Sequence, residues 1–582
     1  MFLLVAALCV FALAYRYYAA FIATKILVID KNRKTPAHEM HDGHDYVPMN
    51  RWVLFGHHFA AIAGAGPLIG PVLAAQYGYL PGAIWILLGS VFAGSVHDFI
   101  VLLASVRYKG ETLYKIAGRI TGPVTGSASA LATLFIITVA MAGMGIAVVN
   151  SLRNSPWGFF TVFMTIPIAI FVGLYMFVWR KGKIGEGSVI GIILILVAVA
   201  TGPLVADSSF APYFNYGEKA LKIILPCYGF LAAVLPVWLL LAPRDYLSTY
   251  MKIGTMVLLA VGVAIVHPQI SMPPLTPFIH GGGPVIPGPV WPYVCITIAC
   301  GAISGFHSLI CSGTTPKMID NEKDIPFIGF GAMLTEGFVG IIALIAATAL
   351  VTNDYFAINA TSEGWQKLGL KVVDLPALEQ EVGEKLMHRT GGAVSLAVGM
   401  AYIFNKIPFL AGLMKYWYHF AIMFEALFVL TVIDAGTRVG RYILSSALGQ
   451  IYPKFDNTRW IVGIVTTSAL MSCAWGYLLY GGQIATIWPM FGVANQLLAA
   501  IALAIGTTLI LAHGKKKYCW VTIVPFGFVA ITTIAGGCYN IFKSYLPNRM
   551  FVNALLTAVL LVLSIIIIAD SARKWIQILR RK

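Results

Sequence analysis

Three carboxylates lie inside long apolar stretches of this chain, where an ionised side chain is costly: Asp98, Glu336 and Glu425. At membrane depth such a group needs a charged partner, or else it takes up a proton. A carboxylate that pairs with a charge or takes up a proton can couple ion movement to transport. For Asp98, a buried structural pair or a helix-end contact is the alternative. Candidate partners of Glu336 and Glu425 are His307, His419 and Lys415.

Two adjacent histidines, His57 and His58, immediately precede a run of glycine and proline residues. An imidazole gains or loses a proton near neutral pH, so both side chains are candidates for contact with an anionic substrate or for carrying a proton. Alternatively, both lie at the rim of the membrane and form structural hydrogen bonds. The sequence leaves the two possibilities open.

The composition places the chain in a membrane. Of its 582 residues, 59% are hydrophobic and only 11% are charged, and the mean hydropathy is +0.81. A soluble protein carries roughly 25% charged residues. The net charge of +16 does not require nucleic acid, because basic residues accumulate in the cytoplasmic loops of membrane proteins. We therefore expect an all-α polytopic membrane protein without a nucleic-acid partner.

Apolar runs of roughly 20 residues, the length of a helix that crosses a bilayer, number about fifteen. With the N-terminus outside, the predicted cytoplasmic segments hold 28 Lys and Arg residues and the external ones hold nine. This asymmetry predicts an external N-terminus and a cytoplasmic C-terminus. The short apolar stretch 391–406 fits a re-entrant or partly buried helix better than a full crossing, and the external stretch 353–390 suits short amphipathic helices.

Three predicted spans contain helix breakers. The second span includes Gly64–Pro71, with two prolines and three glycines, and the ninth includes Gly301–Ser308. The seventh is expected to be interrupted by Pro226, Gly229, Pro236 and Pro243. Each proline removes a backbone donor and clashes one turn back, and in lipid such a break persists only where protein or a water-filled cavity surrounds it.

Broken helices in corresponding places of two halves indicate the binding site of a transporter. The second and seventh spans head two sets of five helices that start on opposite sides of the membrane, as an inverted repeat requires. The resulting division is 1–53 for the first helix and a cytoplasmic loop, 54–220 and 221–440 for the two repeats, and 441–582 for four additional C-terminal helices.

Several longer strings of residues resemble the carbon starvation protein A family. They are YVP at 46–48, WVLFGHHFAAIAGAGP at 52–67, LPVWLLLAPRDYL at 235–247, SGFH at 304–307, FEALF at 424–428, DAGTR at 434–438 and PMFGVANQLLA at 489–499. The resemblance implies a transporter of the bacterial inner membrane for peptides or pyruvate, driven by a proton gradient. It also implies a five-plus-five fold resembling that of the sodium symporters (leucine-transporter-like).

In a fold of that kind, carbonyl groups freed near Gly64 and the hydroxyls of Ser304 and Ser308 would form a cation site. Half-helix N-termini beside Gly64–Pro71 would hold the substrate carboxylate. The predicted substrate-binding residues are His57, His58, Gly64, Ala65, Gly66, Pro67, Gly70, Tyr228 and Gly229. The predicted ion-coupling residues are Asp98, Ser304, His307, Ser308, Glu336 and Glu425.

Four charged residues at the predicted cytoplasmic ends of spans suit the salt bridges of a gate, with plain topological anchoring as the alternative: Arg244, Asp245, Asp434 and Arg438. Asn495 and Gln496 are expected to form hydrogen bonds between helices.

The sequence is also compatible with two other functions. A redox subunit would bind haem through His57, His97, His307 or His419, and a nutrient sensor would signal without transport. We expect no cofactor and no enzymatic activity, and no nucleotide-binding loop supports ATP-driven pumping. The sequence does not distinguish pyruvate from peptide, H⁺ from Na⁺, or one oligomeric state from another. The loop containing His38, His41 and His44 is expected to be solvated, although a metal site there is chemically possible.

Overall fold

The computed structural model describes residues 1–42, 46–180, 183–235, 241–449, 451–457 and 460–580. Within these ranges the regular secondary structure is helical, and the only β pairing is an isolated bridge between Met49 and Ile319. The predicted all-α class is therefore confirmed.

Twelve helices of the described chain are long and apolar enough to cross a membrane, judged by length and composition. They are Phe2–Ile26, Tyr79–Arg107, Pro123–Leu152, Pro156–Leu174, Gly185–Ala206, Leu247–Val266, Glu322–Thr348, Met414–Gly449, Ile461–Gly481, Ile484–Ala512, Trp520–Tyr545 and Phe551–Arg580. Each coincides with one of the predicted spans, which establishes a polytopic arrangement.

The three predicted spans outside this set are those with helix breakers. In the first broken span, helices Arg51–Ile62 and Gly66–Tyr77 meet at 48° and together raise the count to thirteen. The third broken span divides into Val290–Thr297, Ala299–Ala302 and Phe306–Gly313. The predicted total of fifteen is therefore not reached by these criteria.

The second broken span differs from the prediction. Pro226 and Gly229 lie inside one continuous helix, Glu218–Val234, so the expectation that they interrupt it is wrong. Pro226 lacks only its own N–H donor, and Gly229 makes room for the Trp475 ring, which would lie 2.8 Å from a Cβ there. The chain leaves the helix at Leu235, Pro236 lies outside the described residues, and the next helix is Leu241–Val266.

The stretch 391–406 forms a short helix, Ala393–Asn405, whose side chains are nearly all buried. Thirteen residues span about 20 Å, which is too short to cross a hydrocarbon core of about 30 Å. The predicted short helices before it are Thr352–Asn359, Ser362–Leu368 and Leu375–Val382.

Four basic residues assigned to cytoplasmic loops by the charge count are buried within helices instead: Arg244, Lys252, Arg438 and Arg441. Their positions follow from internal contacts, so they do not report on sidedness. The larger number of basic residues in the predicted cytoplasmic segments persists without them, and the orientation stays a prediction.

The first and third broken spans cross each other at two glycines. A Cβ on Gly66 would lie 2.2 Å from the Cβ of Cys300, and one on Gly70 would lie 2.6 Å from the carbonyl oxygen of Thr297. Both glycines are therefore required for the close approach of the two backbones. This crossing holds the two breaks side by side in the protein core.

The crossing predicts a size-swap experiment. Gly66→Ala should destabilise the protein by about 1–3 kcal/mol, the usual effect of overpacking, because Cys300 cannot move away from the backbone of the neighbouring helix. Adding Cys300→Gly should restore most of the apparent melting temperature in detergent. Gly313→Ala is the matched control, because no atom lies within 4 Å of a Cβ at that position. Equal melting temperatures for Gly66→Ala and the control would contradict the close approach.

Candidate functional site

The first break comprises residues 63–65. Ala63 has extended backbone angles (φ −73°, ψ 100°), and Pro67 lies in the first turn of the next helix, where its missing N–H is not needed. The carbonyl oxygen of Ala65 accepts from the N–H groups of Leu68 and Ile69. The carbonyl oxygens at the end of the preceding helix need other donors.

Lys252 supplies those donors. Its Nζ donates to the carbonyl oxygens of Ala60 at 2.8 Å and Ala63 at 2.9 Å, and to the Thr431 hydroxyl at 3.3 Å. The ammonium also lies 4.2 Å from the centre of the Phe428 ring, and the side chain is buried. A buried ammonium thus binds carbonyl groups of the first break, which are one part of the predicted cation site.

Lys252 was missed as a site residue because it was counted among the loop charges at the cytoplasmic end of a span. The signal was present, since a long apolar run begins directly after Lys252 in the sequence. A lysine in that position needs a partner at membrane depth. The sequence alone does not show which carbonyl groups it meets.

The third break comprises residues 303–305 and is stabilised by Asn495. The Gly305 N–H donates to the carbonyl oxygen of Asn495 at 3.1 Å, and the Phe306 N–H donates to its Oδ1 at 2.8 Å. The Ser304 hydroxyl also lies 3.2 Å from Asn495 Oδ1. Gln496 bonds the carbonyl oxygen of Cys295, which confirms the predicted interhelical role of both amides.

Four buried side chains form a continuous polar network, here called the buried network: His97, Asp98, His307 and Glu336. His97 Nδ1 lies 2.6 Å from Asp98 Oδ1, and His307 Nδ1 lies 2.8 Å from Asp98 Oδ2. The other ring nitrogen of His307, Nε2, lies 2.8 Å from Glu336 Oε2. All four side chains are fully buried. An imidazole between two carboxylates can accept a proton on one side and release it on the other.

The buried network adjoins the first break. Lys252 and Glu336 are close enough for their charges to attract. His58, on the helix before the break, interacts with the charges of Asp98 and His307, and its Nδ1 lies 2.7 Å from the Thr315 hydroxyl. The breaks and the titratable groups are thus parts of one site.

Three of the six predicted ion-coupling residues therefore come together: Asp98, His307 and Glu336. The other three do not join them through described contacts. Ser304 is held by Asn495, and the Ser308 hydroxyl donates to the carbonyl oxygen of Gly305 at 2.6 Å. Glu425 is buried, and neither of its carboxylate oxygens has a hydrogen-bond partner among the described residues.

The predicted substrate-binding residues fall into two groups. Five of them are buried at the first break or just after it: Gly64, Ala65, Gly66, Pro67 and Gly70. Gly64 packs against Met144 and Val432. His57 is half-buried on the preceding helix. Tyr228 and Gly229 lie elsewhere, in contact with the helix Met414–Gly449. The Tyr228 hydroxyl donates to Asp434 Oδ2 at 2.7 Å, which places it among the predicted gate residues.

Two of the four predicted gate residues form an ion pair. Arg244 Nη1 lies 3.1 Å from Asp434 Oδ2, each side chain is 1% exposed, and the guanidinium lies over the Tyr228 ring. Arg438 instead donates to the carbonyl oxygens of Ala232 and Leu235, both at 2.6 Å. The side chain of Asp245 lies outside the described residues.

Two of the four candidate haem ligands, His307 and His419, are in contact with other side chains. Both ring nitrogens of His307 face carboxylates, and His419 stacks on Trp157 with ring centres 3.8 Å apart. Within the described ranges, no group of three or more His, Cys, Asp or Glu residues has metal-binding geometry. His38 pairs with Asp320 at 2.9 Å, and His44 lies outside the described residues.

Known proteins match this chain over nearly its whole length. The family described as carbon starvation protein CstA matches residues 1–536. The "Peptide transporter CstA" of Bacillus subtilis (strain 168) is 50% identical over 580 residues, which cover 99% of this chain and 97% of that protein. The "Pyruvate/proton symporter BtsT" of Escherichia coli (strain K12) is 44% identical over 580 residues, 92% of this chain and 80% of that protein. The "Peptide transporter CstA" of the same strain is 46% identical over 571 residues, 93% of this chain and 81% of that protein.

The Lys252 contacts predict a stability effect that is independent of transport. Lys252→Met keeps the length of the side chain but leaves the Ala60 and Ala63 carbonyl oxygens without their ammonium donor, at about 1–3 kcal/mol for each buried acceptor. We expect a clear drop in the apparent melting temperature in detergent. Lys115→Met, at an exposed lysine, should change it little. Equal shifts for the two variants would show that the ammonium does not stabilise the break.

Proposed function

This chain belongs to the carbon starvation protein CstA family, and we propose that it is a proton-coupled secondary transporter that takes up a small carboxylate-bearing nutrient, either a short peptide or pyruvate. Multiple apolar helices and the transporter names of its relatives make it a multi-pass membrane protein. The observation that carries the proposal is the buried network beside the first break, because titratable groups at that depth mark ion pathways.

Protons are favoured over Na⁺ by what occupies the predicted cation site. The carbonyl groups freed at the first break bind the Lys252 ammonium, and the hydroxyls of Ser304 and Ser308 already have partners within the protein. The carbonyl groups therefore already coordinate a positive charge that belongs to the protein. Coupling then falls to groups that gain and lose a proton, of which the buried network contains four.

The coupling step follows from the position of His307 between Asp98 and Glu336. A proton that neutralises Glu336 removes its ion pair with His307 and weakens its attraction to Lys252. Glu336 lies on the helix Ala332–Thr348, which packs against the helix that follows the first break. Protonation and movement of the broken span are linked in this way.

The substrate carboxylate is proposed to bind at the N-terminal end of the helix Gly66–Ala74, where the positive end of the helix dipole favours an anion. Met144 and Val432 lie against Gly64, so binding requires their movement. The Arg244–Asp434 pair, bridged by Tyr228, is proposed as the gate at the cytoplasmic end. Its two members come from different helices, and separating them would open a path along the second broken span.

The proposed architecture is a five-plus-five inverted repeat, 54–220 and 221–440, preceded by 1–53 and followed by 441–582. A shared feature supports it: the first helix of each half ends with carbonyl groups bound by basic side chains. Lys252 binds Ala60 and Ala63, whereas Arg438 binds Ala232 and Leu235. The proposed location is the bacterial inner membrane, with the N-terminus outside and the C-terminus in the cytoplasm.

Glu336→Gln tests the coupling role in proteoliposomes. We expect it to abolish accumulation of labelled pyruvate or dipeptide driven by a pH gradient, yet to leave counterflow, because exchange does not require net proton movement. Glu363→Gln, an exposed substitution of the same kind, should behave like the parent. Full accumulation by Glu336→Gln would refute coupling through this carboxyl. If Glu425→Gln uncouples transport in its place, the buried network is structural and Glu425 carries the proton.

A further inference from the structure

A cavity of about 730 Å³ lies at the predicted outer end of the protein, away from the breaks. Its wall includes Arg153 and Trp157 at the ends of neighbouring helices, the loop Gly383–Arg389, and Lys415 and His419 in the first turns of Met414–Gly449. Ligand pockets usually occupy roughly 300–1,000 Å³. The cavity is thus large enough for a short peptide and far larger than a three-carbon acid requires.

Two guanidinium groups face one part of the cavity. Arg153 Nη2 donates to the carbonyl oxygen of His388 at 2.7 Å, and Arg389 Nη2 donates to that of Ser151 at 2.9 Å. Burial and the nearby charge of Arg389 lower the pKa of Arg153. Two guanidinium groups fixed by backbone carbonyl groups form a suitable place for a ligand carboxylate, which would compete with Glu218 at 3.4 Å from Arg153 and Glu384 at 3.7 Å from Arg389.

Three carboxylates also line the cavity, and two of them have partners. Glu218 lies 3.4 Å from Arg153 and 2.8 Å from Lys222. Glu384 accepts from the Ser155 hydroxyl at 2.6 Å; burial raises the pKa of its carboxyl, and Arg389 opposes that shift.

The third carboxylate, Asp207, is exposed at the end of the helix Ile184–Ala206. In the part of the chain that the structure describes, it has neither an ion pair nor a side-chain hydrogen bond. Asp207 is therefore the carboxylate best placed to receive a positive charge from a ligand.

The Arg153–Glu218 pair separates this cavity from a second one of about 270 Å³, because both residues line both cavities. The second cavity is also lined by Asn150, whose side chain packs on Gly391, next to Gly392. Gly392 in turn packs on Ile69 and Leu73 of the first broken span. Contacts therefore connect the two cavities to the helix Gly66–Ala74, which follows the first break.

We propose that the larger cavity is a vestibule that binds a short zwitterionic peptide before it reaches the break. The C-terminal carboxylate binds at Arg153 and Arg389, and the terminal ammonium binds at Asp207. The carboxylate competes with Glu218 for Arg153 and so loosens the pair that separates the two cavities. A peptide uses both charges, whereas pyruvate uses only the first; the place of the vestibule in uptake rests on the proposed function.

Calorimetry on the purified full-length protein in detergent tests the site with three ligands: dialanine, N-acetyl-dialanine and pyruvate. Asp207→Asn should weaken dialanine binding about tenfold, the usual effect of losing one charge-assisted contact, and leave the other two ligands unchanged. Arg153→Gln should weaken all three. Asp374→Asn, an exposed carboxylate on the same predicted face but outside the cavity, is the matched control.

The outcomes separate the vestibule from the transport proposal. Failure of the parent to bind dialanine, or equal affinity in Asp207→Asn and the parent, overturns the vestibule even if uptake is normal. Loss of dialanine affinity with unchanged binding of the acetylated peptide supports it, even if the parent transports nothing and the proposed function fails. Because Asp207 is exposed, Asp207→Asn should fold like the parent, and its elution profile and melting temperature check this.

Discussion

Every backbone group freed at a helix break inside a membrane must find a partner within the protein, because hydrocarbon offers none. Three side-chain types meet this requirement here. Lys252 binds the carbonyl groups before the first break, Arg438 binds those at the end of Glu218–Val234, and Asn495 binds the amides after the third break. These contacts fix where the broken helices lie and so determine which titratable groups can meet.

A buried cation imposes a second constraint, since an unpaired charge at this depth is strongly destabilising. Lys252 has its carbonyl partners and also attracts Glu336, which in turn contacts His307. His307 then bonds Asp98, and Asp98 bonds His97. The same chain of contacts that stabilises the break therefore ends in the groups proposed to exchange protons. Structural support and the proposed ion coupling share residues, so a substitution that alters one also alters the other.

The sequence predicted the elements better than their contacts. Proline and glycine located the first and third breaks because their effect on a helix is local. Asp98 and His307 are 209 positions apart, so their contact required the fold. Pro226 was wrongly predicted to interrupt its helix, because one missing backbone donor does not stop a helix. Lys252 was assigned to a loop because the predicted ends of spans are uncertain by several residues. Asp98 and Glu336 were selected by their depth in apolar stretches and His307 as a candidate partner, but the sequence does not show which carboxylates His307 contacts.

The two ion pairs on the proposed transport path differ in exposure, which bears on the direction of transport. The side chains of Arg153 and Glu218 are 19% and 40% exposed, whereas those of Arg244 and Asp434 are each 1% exposed. An exposed pair contributes about 1 kcal/mol or less, and water or a ligand can replace either partner. Removing one member of a buried pair costs about 3–5 kcal/mol, because the other charge stays in an apolar surrounding. We infer that the Arg153–Glu218 pair opens first from this conformation, and that the Arg244–Asp434 pair separates only when another group has taken over its charges. A substrate carboxylate that reaches Arg244 would be such a group, so the ligand itself would lower the barrier to its own release on the proposed cytoplasmic side.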